Sequence, residues 1–150
     1  MKKVTILLVV CVLLAHDAWS QIIINQGYCG SQGNNLTWTF YSDSTLTING
    51  SGSMANFWDG FGYGDTYPWR NYRSQIKTII IGDSVNTIEE AAFGNCINLT
   101  SVTMSNSLTT IGFQSFVGCS NLTSITLPNS LTIIGGGGCR MRINFCKHSQ

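Results

Sequence analysis

A 23-residue period runs through the second half of this chain and limits its fold more than any other feature. Leu99 to Gly112 and Leu122 to Gly135 agree at 10 of 14 positions. One step further back lies Ile76 to Glu89, with the same apolar positions filled. The columns read Ile76, Leu99, Leu122; Ile79, Val102, Ile125; and Ile81, Met104, Leu127. They continue with Val85, Leu108, Leu131 and with Ile88, Ile111, Ile134. Two copies go on to Phe93 and Phe116, then Cys96 and Cys119. One copy is too short to bury its own apolar face, so neighbouring copies must cover it. Each is expected to supply a short strand with Val102-type residues turned inward and Ser101- and Thr103-type residues outward. Stacked about 4.8 Å apart, the inward columns become apolar ladders. Residues 76–135 hold about 2.5 such copies.

Apolar residues at offsets 1, 4 and 6, followed by a polar turn such as Asn106-Ser107 or Pro128-Asn129, follow leucine-rich-repeat logic. The expected fold is a leucine-rich repeat solenoid, β-rich, with short turns or helical pieces. Residues 21–75 are read as a β-rich leader. Leu36, Trp38 and Phe40 alternate with threonines, as do Leu46 and Ile48, around the turn Ser42-Asp43-Ser44. That pattern predicts a β-hairpin, placed as an N-terminal cap over the open end of the ladder. Asn98 and Asn121 share one repeat offset, which favours a turn role over glycosylation at their sequons.

Leu99-Thr100-Ser101-Val102-Thr103, Ile111-Gly112 and Phe116 to Ser124 together resemble the BspA-type leucine-rich repeats of bacterial surface proteins. Cys29-Gly30, Asn35 to Trp38, Thr45 to Met54 and Pro68-Trp69 resemble the leader of the same proteins. The resemblance runs from about Gly27 to Gly135. It implies an exported, non-catalytic protein that mediates protein–protein interaction or adhesion at the cell surface. The partner it implies is a protein or glycan on another cell or matrix.

Residues 1–20 read as a cleaved signal peptide: Lys2-Lys3, the apolar run Val4 to Ala15, then Ala18-Trp19-Ser20 before Gln21. The expected location is therefore secreted or cell-surface. The run is too short for a transmembrane span. Without residues 1–20 the chain keeps six basic and six acidic residues. Such a neutral chain has no electrostatic basis for binding nucleic acid. Five cysteines remain (Cys29, Cys96, Cys119, Cys139 and Cys146), with no Cys-x-x-Cys pair, and His148 is then the one histidine. No metal and no cofactor is expected. Cys96 and Cys119, sharing a column, are expected to be buried free thiols.

After Gly135 the period stops. Gly135 to Gly138 is a glycine run, and Arg142 falls where Cys96 and Cys119 lie. Residues 136–150 read as a degenerate, disordered tail, or as the product of an interrupted gene for a longer adhesin. The last coil, Leu122 to Ile134, is then expected to leave an uncapped apolar end and open edge through which copies self-associate.

Two places are candidate sites. Seven aromatics fall between Phe57 and Tyr72, with Asp59 and Asp65 among them. Trp58, Asp59, Tyr63, Tyr67 and Trp69 make a candidate ligand-binding set, since flat rings beside carboxylates suit a sugar. The alternative is that these rings pack the junction between leader and first coil. The second candidate is the outward face of the repeats, Thr78, Ser101, Thr103, Ser124 and Thr126, as a partner face. No Ser–His–acid or Cys–His device is in place, so no enzymatic activity is expected.

Overall fold

The structure is a computed structural model that describes residues 21–58, 60 and 66–135, and the backbone alone of 144–147. The expected signal peptide, the candidates Asp59 and Tyr63, and residues 136–143 and 148–150 lie outside the described residues.

Three antiparallel strands come first: β1 (Ile23–Gly30), β2 (Gly33–Tyr41) and β3 (Thr45–Gly52). The expected hairpin is β2–β3. Leu36, Trp38, Phe40, Leu46 and Ile48 are all buried, as alternation on a one-sided strand requires. At the turn, the Thr45 amide donates to Asp43 Oδ1 (3.0 Å) and Ser44 takes a φ of 71°. Strand β1 goes beyond the expected hairpin, because Ile22-Ile23-Ile24-Asn25-Gln26 has no period of two to announce it.

Strand β3 is also the first of the stacked strands. It pairs in parallel with β4 (Thr78–Ile81), and its end pairs with β5 (Ser84–Val85). Strand β4 in turn pairs in parallel with β7 (Ser101–Thr103), after the intervening β6 (Thr87–Ile88). The order across the sheet is β1-β2-β3-β4-β7. Thr78 lies opposite Ser101, Ile79 opposite Val102 and Ile80 opposite Thr103, so the repeat period is the register of the sheet. Thr45 lies opposite Thr78, a wider offset than the repeat allows. The first joint is longer than the repeat because the aromatic segment is threaded through it.

A second parallel sheet holds β6, β8 (Thr110–Ile111) and β10 (Ile133–Ile134), again one repeat period apart. Threonine hydroxyls join successive turns: Thr109 Oγ1 donates to the Asn86 carbonyl (3.2 Å) and Thr132 Oγ1 to the Thr109 carbonyl (3.1 Å). Backbone conformation repeats too, since Ala91 and Gln114 both have a φ of 54°, and Asn95 (59°) matches Gly118 (74°). Gly135 recurs at the place of Gly112 because a Cβ there would stand 2.4 Å from the Phe113 amide nitrogen. The helical content among the described residues is one 3-10 turn, Arg70–Tyr72. Among them no helix is long and apolar enough to cross a membrane.

The last coil departs from this regularity. Strand β9 (Ser124–Leu127) carries no ladder to β7 among the described residues. It pairs in parallel with β11 (Asn144–Lys147), Asn144 opposite Ser124, at an offset shorter than the repeat. For these four residues the expectation of disorder is corrected, and so is the open edge expected on β9. Unpaired N–H and C=O groups along a strand edge attract another strand whatever its side-chain pattern. The uncovered apolar end does remain at β10, where Ile133 is 58% and Ile134 42% exposed.

Candidate functional site

The aromatic segment is core. Trp69 and Tyr67 are fully buried. The Trp69 ring stacks on Phe93 (5.6 Å), which stacks on Phe116 (5.5 Å), and it meets Trp38 edge-on at 6.2 Å. Tyr72 lies on Phe40 at 4.6 Å, tying the leader to the same spine. The polar tips are satisfied by backbone: Trp69 Nε1 donates to the Ala92 carbonyl and the Tyr67 hydroxyl to the Glu90 carbonyl, each at 2.8 Å. Burial pushes the Tyr67 phenol above its ordinary range, so it stays protonated as a donor. Neither ring offers a face to solvent, which corrects their assignment as ligand-binding residues. Trp58 is half-buried, its ring 6.2 Å from Phe113, and its amide donates to Asn56 Oδ1. Tyr67 and Trp69 each precede their carbonyl partner by one repeat length.

Cys29, Cys96 and Cys119 are buried free thiols. Burial pushes Cys29 up to about 12. Cys96 is held far above the ordinary thiol range by its hydrogen bond with Cys119 and by burial, while Cys119 Sγ donates to the Phe93 carbonyl (3.1 Å). A thiolate is the nucleophile, so Cys29 and Cys96 are inert at neutral pH. Asn98 Nδ2 donates to the Ser74 carbonyl at 2.7 Å and Asn121 Nδ2 to Asn98 Oδ1 at 3.4 Å, so these amides link successive coils where a local turn role was expected.

The outward face is where exposed groups gather. Ser101, Thr103, Ser124 and Thr126 are exposed and Thr78 is half-buried. Ile80, in the same face, is 39% exposed. Between β7 and β9, where the ladder lapses, the face opens into a cleft of about 370 Å³. Thr103, Asn106, Thr126 and Asn129 supply its polar lining, and Val102, Met104, Leu127 and Pro128 its apolar lining. Val102 and Met104 are half-buried, unlike their column-mates Ile79 and Ile81, because this gap reaches them. Sequence reasoning finds Thr103 and Thr126 and misses Asn106 and Asn129, although these two recur at a single repeat offset. No charged side chain lines the cleft. It suits an uncharged surface with apolar anchors and small hydrogen-bonding groups.

Residues 70–140 match the family described as the BspA-type leucine-rich repeat region, six copies. No curated protein matches the chain. Among solved structures, a leucine-rich repeat protein from Eubacterium ventriosum ATCC 27560 superposes with a TM-score of 0.56 at 20% identity. The match covers 79% of this chain and 37% of that one, so this chain spans little more than a third of that protein's length. At such identity the likeness is one of fold. A leucine-rich cell surface protein from Faecalibacterium prausnitzii A2-165 gives a TM-score of 0.38 at 20% identity, over 79% of this chain and 40% of the other. The T. pallidum leucine-rich repeat protein gives 0.40 at 17% identity, over 69% and 63%.

Proposed function

Residues 70–140 of this chain are a BspA-type leucine-rich repeat region, and from that premise we propose an exported, non-catalytic protein that holds a partner against its outward strand face. The repeats act as a solenoid, and β1–β3 act as its N-terminal cap. Export rests on residues 1–20, and a place at the cell surface is supported by the family's surface type.

One observation carries the binding role: an uncharged, exposed face whose Thr103 and Thr126 also line the cleft between β7 and β9. Stacked repeats use such faces for partners, and the neutral lining selects a partner by shape and uncharged hydrogen bonds. A standard interface takes about 800 Å² from each side, so a face of three strands binds weakly or multivalently. Catalysis has no support at this place, since neither carboxylate, histidine nor cysteine lines the cleft.

The test is adhesion of cells or matrix proteins to surfaces coated with the chain, compared with the double variant Thr103→Arg, Thr126→Arg. Both positions are exposed, so the variant keeps its melting temperature. Adhesion lost in the variant supports the assignment. Equal adhesion by a folded variant places binding elsewhere.

A further inference from the structure

The outer edge of β1 is the longest unpartnered strand edge on the molecule among the described residues. Strand β1 ends the sheet order with β2 as its one strand neighbour; Gly30 bridges Met54 and the Cys29 carbonyl accepts from the Ala55 amide (2.8 Å), so the open edge runs from Ile23 to Tyr28. Natural proteins blunt such edges with charge, proline or bulges. From Ile22 to Gly30 there is no charged residue and no proline. The register shifts lie between Ile23 and Asn25 and between Tyr28 and Gly30, so Asn25 to Tyr28 is a regular stretch.

The same edge is apolar. Ile22 is 65% exposed, Ile23 50%, Ile24 51% and Tyr28 64%, four of the nine large exposed hydrophobics among the described residues. Beside Tyr28 lies a trough of about 360 Å³ lined by Gln26, Gly27, Tyr28, Thr37 and Thr39. Position 27 must be glycine because a Cβ there would stand 2.9 Å from Trp38 Nε1.

We propose that this edge is a homodimer surface, on which a second copy of the chain adds its own β1 in antiparallel register. Three features select a second copy as the occupant. A twofold axis makes two identical edges antiparallel, which is the pairing β1 already makes with β2. The exposed Tyr28 ring and the trough belong to one patch, so each copy offers the other a knob and a hole. The patch is uncharged, so two copies meet without like-charge repulsion, whereas a charged partner would lose hydration unanswered. Strands β1 and β7 are opposite ends of the sheet order, so dimerisation leaves the proposed partner face free and doubles it.

Sedimentation of the purified chain at micromolar concentration tests this against Tyr28→Lys and Ile24→Lys. The expected result is twice the monomer mass for the parent and monomer mass for both variants, with unchanged melting. Gln26→Cys, at the middle of the regular stretch, supplies a readout without a destabilising charge: mild oxidation links two copies through residue 26. A parent that stays monomeric overturns the proposal. So does a dimer that withstands both lysine variants and does not cross-link through residue 26, which assigns association to the exposed β10 end instead. If the lysine variants do not fold, cross-linking alone decides.

Discussion

The two ends of the stack are built from the same kind of strand and finish very differently. At the first joint, between β3 and β4, the offset departs from the repeat, yet Leu46, Ile48, Ile79, Ile81 and Trp69 are all but inaccessible. At the last coil β8 and β10 keep the repeat period, yet Ile133 and Ile134 are exposed and β9 has no ladder to β7 among the described residues. Regular spacing sets the register, but burial depends on what covers the rung. The leader supplies Trp38, Phe40 and Tyr72 to cover the first joint, whereas Ile133 and Ile134 stay exposed at the last.

The contrast breaks most easily at Trp69. Removing a fully buried indole that bridges leader and repeats costs about 3–5 kcal/mol on truncation to alanine. Trp69→Ala therefore unfolds the chain or lowers its denaturation midpoint severely, while Ile133→Ala at the other end shifts stability by less than about 0.5 kcal/mol. Equal losses in urea titrations would show both ends to be equally closed. Within one column, Ile79→Ala is expected to lose about 2–5 kcal/mol. Val102→Ala, half-buried beside the cleft, loses about 1 kcal/mol. Comparable losses would mean that the gap between β7 and β9 is closed in solution.

Smaller effects sharpen the picture. Gly118 has a φ of 74° and a Cβ there would meet Asn95 Oδ1 at 2.2 Å, so Gly118→Ala lowers stability by about 1 kcal/mol or more. Asn95 has the same conformation one repeat earlier, and Asn95→Gly is tolerated to within a few tenths of that. The least effect at neutral pH comes from the thiols. The folded state raises Cys29 to about 12, so the protonated form is the one it favours. Below the ordinary thiol range both states are protonated and stability does not change with pH. Above that range the unfolded chain ionises first, and stability falls until about 12. Cys29→Ala flattens that alkaline slope, read as denaturation midpoints against pH.

Much of the architecture was legible because it is written in side-chain periods. The column through Ile79 and Val102 and the alternation of Leu36, Trp38 and Phe40 carry register and facing directly. What escaped is what a fixed period does not encode. Strand β3 is a rung of the stack, but its wider offset from β4 falls outside any search at the repeat period. Trp69 is core because it stacks on Phe93 from a segment without periodicity. Strands β1 and β11 form through backbone pairing, which their side chains do not announce. Of the candidate site, Thr103 and Thr126 followed from alternation along the strands. The cleft beside them arises from a missing ladder, and a missing hydrogen bond leaves no mark on composition.

Amide hydrogen exchange, followed residue by residue in the native protein, puts the whole picture at risk in one experiment. Protection should be highest at Ile48, Ile79 and Ile81, under the leader's rings, and should fall stepwise through Val102 to Ile125 and Ile133. Uniform protection along the chain, or slower exchange at Ile133 than at Ile79, would contradict a stack closed at its first joint and loose at its last.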